Sequence, residues 1–200
     1  MQGWDYNVSH AGDWVVLAAA QGFRVGVDVM RTVDTRVDRL DKFFGLMRKQ
    51  FTEQEWLSIH GGSEDSSEQK LERFFRHWTL KESYVKTVGT GLNLDLRTLN
   101  FSVEEPLTCD RIITSTKLEV EKVKTSWIFE ESYLDEEHVV SVAKDGLSEN
   151  VEEDVETKFE VLTIQQIFGL MSVNQAEGEL RIVDPSDFST FCSKDHPKPF

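Results

Sequence analysis

"FRHWTLKESYVK", residues 75–86, is the stretch on which the fold turns, because it sets an acid inside an apolar helical stripe. At about 100° of rotation per residue, Leu71, Phe75, Trp78, Glu82 and Val85 fall along one line of a helix, while Arg73, Arg76 and His77 lie on the opposite side. Glu82 therefore points toward the predicted core. A carboxylate there is costly unless it is paired, hydrogen-bonded or bound to a metal. A nearby arginine or backbone amide meets that need as well as a ligand does, so the stripe alone leaves both readings open.

Working outward, the polar run "GGSEDSSEQ" (61–69) precedes this helix and "GTG" (Gly89 to Gly91) ends it. Upstream, "FTEQEW" starts a shorter helix, with Thr52 as N-cap and Glu55 as its capping-box partner, fading at Gly61-Gly62. Val37, Leu40, Phe43, Phe44 and Met47 predict another helix within 33–50. "WVVLAAA" (Trp14 to Ala20) and "FRVGVDVM" (Phe23 to Met30) read as two strands joined by a tight turn at Gln21-Gly22. "LRTLNFSV", "KTSWIFEE" and "HVVSVAK" (His138 to Lys144) read as later strands. Helices and strands mix without a regular βαβ repeat, which favours an α+β fold with a short antiparallel sheet on a long helix.

The predicted organisation is one α+β domain over 1–144, an acidic connector over 145–158 and a tail over 159–200. The connector, "DGLSENVEEDVETK", holds six acids and one lysine. In the tail, Thr163 and Gln166 stand at capping-box spacing, and Ile164, Ile167, Phe168 and Met171 suit one short helix packing back on the body.

The chain has 200 residues, 39% of them hydrophobic, with 13 Phe, 5 Trp and 3 Tyr, enough for a core. It has no apolar run of membrane-spanning length and no basic-plus-apolar leader, so a soluble cytosolic protein that acts on no membrane is expected. Cys109 and Cys192 fit no metal or redox spacing and read as free thiols. The net charge of −14 is uneven: residues 1–100 carry 13 Lys+Arg against 14 Asp+Glu, residues 101–200 carry 9 against 22. So acidic a chain is a poor nucleic-acid binder. Arg31 to Lys49, with six basic and three acidic residues, suits an acidic or phosphate-bearing partner, and equally a solvated helix face.

Asp28 is the second anomaly. Strand alternation sets Val25, Val27 and Val29 on one face and Gly26, Asp28 and Met30 on the other. The glycine leaves the backbone approachable, so that face is expected to border a ligand rather than a packed helix; an edge-strand aspartate facing water gives the same pattern. Two carboxylates, Asp28 and Glu82, suit Mg²⁺, which completes its shell with water and substrate phosphate oxygens. Lys86 lies one helical turn after Glu82 and reaches the same pocket, or forms an ordinary i,i+4 salt bridge. Carboxylates, a metal and a lysine around phosphate oxygens describe a site for displacement at phosphorus.

Four stretches in order, "NVSH" (Asn7 to His10), "VGVDVM" (Val25 to Met30), "FTEQEW" (Phe51 to Trp56) and "FFRHWTLKESYVKTVGTGL" (Phe74 to Leu92), resemble the 4′-phosphopantetheinyl transferases, in particular the eukaryotic branch of the surfactin-type class. The likeness covers about residues 5–144. It implies transfer of 4′-phosphopantetheine from coenzyme A to a serine of an apo acyl carrier protein domain, of the fatty acid synthase or aminoadipate reductase type, with release of adenosine 3′,5′-bisphosphate. Asp28 and Glu82 match the family's Mg²⁺ ligands, Glu82 its base, and Lys86 the lysine near the pyrophosphate. Asn7, Val8, Ser9, His10 and Ser83 match positions around coenzyme A.

Two features depart from the family pattern. Met30 stands where many relatives carry a further carboxylate. Surfactin-type enzymes also have two similar halves with coenzyme A between them, and this chain corresponds to the second. Single-half members of the superfamily build their site between identical subunits, so a homodimer is one expectation; a truncated, non-catalytic module that binds the carrier is the other.

Overall fold

In the computed structural model, residues 3–33, 39–145, 159–163 and 165–167 are described. The long helix is α3, Ser67–Val88. Ser66 and Gln69 exchange side-chain-to-backbone hydrogen bonds at its start. Gly89, at φ 71°, ends it in the left-handed conformation that glycine tolerates best, its N–H returning to the Val85 carbonyl. Helix α2, Glu53–His60, opens with the capping box of Thr52 and Glu55 and stops at Gly61. Helix α1 runs Leu40–Met47 and a 3₁₀ turn, Arg48–Gln50, continues it. This is shorter than the stretch read from the sequence, and Val37 lies outside the described residues.

Two strands, β1 (Trp4–Ala11) and β2 (Trp14–Gln21), pair as an antiparallel hairpin. Strand β3 (Val25–Arg31) instead pairs with β8 (His138–Lys144), and β7 (Ile128–Tyr133) completes that antiparallel sheet in the order β3-β8-β7. The predicted turn between the second and third strands is therefore not a hairpin turn. The tight turn lies at Gly12-Asp13, and "NVSH" sits inside β1. A third antiparallel sheet holds β4 (Leu99–Ser102), β5 (Lys117–Val120) and β6 (Val123–Lys124).

Helix α3 is wrapped on several sides. Leu71, Phe74 and Phe75 join Leu40, Phe44, Phe51, Trp56 and Ile59 from α1, α2 and their connection. Phe74 is the hub, with ring centroids 4.8 Å from Phe43, 5.5 Å from Phe44 and 5.2 Å from Phe51; each such pair adds roughly 0.5–1.5 kcal/mol beyond area burial. Farther along α3, Leu80 and Tyr84 pack with Leu99, Phe101, Leu118, Phe129 and Ala143. The opposite face of β3 carries Val25, Val27 and Val29 against Ala20, Val140 and Val142, with Phe159 at its margin.

The one-sided stripe expected of α3 is corrected by this wrapping. Arg76 and His77, expected on the solvent side, are buried, while Glu82 is only half-buried. Arg76 is held by both oxygens of Glu131 at 2.8 and 3.0 Å and by the Glu105 carbonyl at 2.6 Å. Lys81, fully buried, meets the Glu55 carboxylate at 2.9 Å and donates to the Leu96 and Leu99 carbonyls at 2.7 and 2.8 Å.

Residues Met1–Phe159 form one compact unit and Glu160–Phe200 another. Asp145, first residue of the acidic stretch, is tied to the first unit through Arg24. The stretch 146–158 lies outside the described residues. In the second unit, Thr163 and Gln166 exchange hydrogen bonds as their spacing predicts, and residues 165–167 are helical. Ile164, Phe168 and Met171 are not among the described residues. No described helix is long and apolar enough to cross a membrane.

Candidate active site

The acid pair is assembled by laying β3 across α3. Gly26 makes the approach possible: a Cβ there would stand 2.3 Å from the Ser83 carbonyl oxygen and from Thr87 Oγ1. This corrects the ligand-facing reading of that glycine, which clears the backbone of α3. Two residues on, the same face carries Asp28 to Lys86, one turn after Glu82. β3 is an edge strand, yet Asp28 is only 5% exposed.

The two oxygens of Asp28 have different environments. Oδ1 accepts from Ser9 Oγ and from Lys86 Nζ, both at 2.8 Å. Oδ2 is buried and makes no hydrogen bond among the described residues. Lys86 also donates to the Val27 carbonyl at 3.1 Å. Its ion pair is with Asp28, not the i,i+4 pair with Glu82 allowed by spacing, and Glu82 forms no hydrogen bond or ion pair among the described residues. Burial, and then the negative charge of Asp28, push the Glu82 carboxyl above its ordinary value, against the pull of Lys86. Burial raises Asp28 as well, opposed by Lys86, by Ser9 and by the nearby Val29 amide, whose approach does not amount to a hydrogen bond to Oδ2.

Two acids thus face one lysine. The group carries a net negative charge when both are ionised, and an orphaned carboxylate oxygen sits inside it. That donor set fits a hard divalent cation, which takes carboxylate oxygens and keeps the rest of its shell for water and phosphate. No described cluster of three or more His, Cys, Asp or Glu residues supplies a complete protein cage.

Strand β1 borders this site through alternate side chains. Asp5 Oδ2 accepts from the Val25 amide at 2.9 Å and Asn7 Oδ1 from the Val27 amide at 3.2 Å, so side chains replace a backbone ladder along the free edge of β3. Ser9 is the third residue of that series. Val8 and His10 alternate to the exposed outer face. Ser83 is fully buried; its hydroxyl donates to the Leu80 carbonyl and meets Ser141 Oγ at 3.3 Å. The structure therefore brings together Ser9, Asp28, Glu82 and Lys86, and does not bring the His10 or Ser83 side chain to them. Sequence reasoning missed the direct Ser9–Asp28 contact, for which alternation along β1, read together with that of β3, was the available signal.

A family model described as the 4′-phosphopantetheinyl transferase superfamily matches residues 24–143. The chain belongs to the 4′-phosphopantetheinyl transferase superfamily. The matched stretch runs from the start of β3 nearly to the end of β8 and includes Asp28, Glu82 and Lys86. Among similar proteins, the L-aminoadipate-semialdehyde dehydrogenase-phosphopantetheinyl transferase of Xenopus laevis is 42% identical over 141 residues, 70% of this chain and 46% of the relative. The Homo sapiens protein of the same name is 32% identical over 194 residues, 94% of this chain and 62% of the relative. A phosphopantetheinyl transferase of a Thraustochytrium strain is 37% identical over 141 residues, 69% and 47% respectively. The chain thus spans between 46% and 62% of the length of these transferase-superfamily relatives.

Proposed function

We propose that this chain carries the chemical centre of a Mg²⁺-dependent transferase that moves 4′-phosphopantetheine from coenzyme A to a serine hydroxyl of an apo carrier protein. The supporting observation is the Asp28 Oδ2 that has no hydrogen bond among the described residues, on a carboxylate paired with Lys86 and close enough to Glu82 to raise its pKa. Asp28 and Glu82 would hold Mg²⁺, which when bound neutralises charge on the pyrophosphate. Glu82 accepts the serine proton as that oxygen bonds to the phosphorus bearing the pantetheine arm. The phosphoanhydride bond breaks and adenosine 3′,5′-bisphosphate departs with its electron pair. Lys86, with a side chain 28% exposed, donates to the phosphate oxygens. His10 is the exposed side chain of "NVSH" and is assigned to a phosphate contact, with Asn7, Val8 and Ser9 contributing main chain around coenzyme A; Ser83, buried within α3 with its carbonyl turned to β3, is withdrawn from that set.

The carrier is assigned to the basic stretch around α1. Arg31 and Arg48 are paired to Glu137 and Glu53. Arg39, Lys42 and Lys70 line a cleft of about 490 Å³ together with Asp41, His60, Leu40 and Phe44, a lining with more basic than acidic groups that suits an acidic carrier surface. The relatives' printed name supports an aminoadipate-semialdehyde dehydrogenase carrier domain as the first to try. The outer face of the β1–β2 hairpin exposes Trp4 (71%), Tyr6 (70%), Val15 (72%) and Leu17 (67%), which supports self-association into a homodimer.

A second reading is a carrier-binding module without transfer, which the basic residues of the cleft beside α1 would support by themselves. Mass spectrometry of an apo carrier domain incubated with the chain, coenzyme A and Mg²⁺, with an EDTA control, separates the two. A Mg²⁺-dependent gain of one phosphopantetheine is expected from the transferase; carrier binding with no gain supports the module.

A further inference from the structure

We infer that Ser9 is a positioning residue that presents Asp28 to the cation, an inference resting on the Mg²⁺ reading of the Asp28–Glu82 pair. The reason lies in how the two donors to Asp28 are placed. Ser9 Oγ from β1 and Lys86 Nζ from α3 converge on the same oxygen, Oδ1, each at 2.8 Å. Two side-chain donors arriving from different elements on one oxygen fix the rotation of the carboxylate and leave Oδ2 without a hydrogen bond among the described residues. Lys86 alone does not do this. Its long, 28% exposed side chain follows a rotating carboxylate and can take both oxygens, closing Oδ2 to a metal. Ser9 has a short side chain and is 7% exposed, so its hydroxyl has little freedom to follow.

The strand explains why the hydroxyl arrives there. Asp5 and Asn7 clamp β1 to the Val25 and Val27 amides. The period of two then carries Ser9 to the next place on the same face, beside the Asp28 side chain. The hairpin thus acts on the metal centre through one hydroxyl, in the manner of outer-shell hydrogen bonds that orient a metal-bound carboxylate.

The test is Mn²⁺ binding to the whole chain, followed by electron paramagnetic resonance of the free ion, with no coenzyme A or carrier. Ser9→Ala should weaken Mn²⁺ binding about tenfold. Ser9→Thr, which keeps the hydroxyl, should bind nearly as the unaltered chain does, and Ser9→Val, of the same shape without the hydroxyl, should match Ser9→Ala. The Thr and Val variants decide the matter if Ser9→Ala does not fold. Equal affinity of Ser9→Val and Ser9→Thr overturns the role of Ser9. Failure of the unaltered chain to bind Mn²⁺, or full binding by Asp28→Asn, overturns the cation reading itself, and the inference falls with it.

Discussion

Two lysines five residues apart on α3 each meet a carboxylate, and the pairs differ in what they leave unmade. Lys81 and Glu55 are both fully buried, and the lysine has two backbone carbonyls besides its partner. Glu55 accepts from the Thr52 and Phe101 amides, so it ties α2, α3 and β4 together with no oxygen left over. Lys86 and Asp28 lie nearer the surface, and one Asp28 oxygen has no hydrogen bond among the described residues, beside a second acid. Burial is deeper in the first pair, and chemistry is open only in the second. The first pair closes its hydrogen bonds and reads as structural; the second leaves one open and is the pair to which the proposed chemistry is assigned.

The largest effect that sharpens this contrast is Lys81→Met. It strands the buried Glu55 carboxylate and should cost about 3–5 kcal/mol in urea unfolding, with transfer lost only as the protein unfolds. A loss under about 1 kcal/mol would break the comparison.

His77, one turn before Lys81, tests the closed region through pH. It is fully buried, and burial lowers its pKa to about 4. In the unfolded chain an ordinary histidine titrates near 6.5, so between these values the unfolded state binds more protons. Stability from this group is complete above pH 6.5 and is lost as pH falls toward 4, by about 3 kcal/mol in total. His77→Gln should flatten that slope in urea midpoints measured from pH 4 to 7; an unchanged slope assigns the acid sensitivity elsewhere.

The smallest stability effect belongs to the open pair. Asp28→Asn keeps the side-chain volume and removes a charge that burial disfavours, so it should change unfolding free energy by about 1 kcal/mol or less while removing Mn²⁺ binding. A loss as large as that of Lys81→Met would make the two pairs alike and erase the distinction.

The sequence made the local structure legible. The capping boxes at Thr52 and Thr163, the stop at Gly89 and the valine strand through Asp28 all depend on near neighbours, and all appear as read. The pairing of β2 with β1 did not follow from it, because Gln21-Gly22 and Gly12-Asp13 are both plausible turns and long-range contacts decide between them. The β5–β6 hairpin escaped notice because its turn, Glu121-Lys122, takes positive φ angles (51° and 68°) without a glycine. The stripe on α3 misled in a useful direction. Reading one face as core put Arg76 and His77 in solvent, because a single helix does not reveal that other elements cover its remaining sides. Glu82 stood out as an anomaly whose partner the sequence left open; among the described residues it makes no hydrogen bond or ion pair, and it lies at the edge of the packing and not within it. Asp28, Glu82 and Lys86 were recognisable as a set; that Ser9 joins them depends on β1 lying along β3, which no local pattern states.

The most direct test of the open site is Glu82→Gln. The substitution keeps shape and removes both the proposed cation ligand and the proposed proton acceptor, so transfer to an apo carrier domain should fall at least about 10³-fold with the thermal midpoint held. The measurement is holo-carrier formation by mass spectrometry from the unaltered and Glu82→Gln chains at equal folded concentration. Product from the first and none from the second is the predicted result; comparable product from both would contradict the assignment of Asp28, Glu82 and Lys86 as the reacting centre.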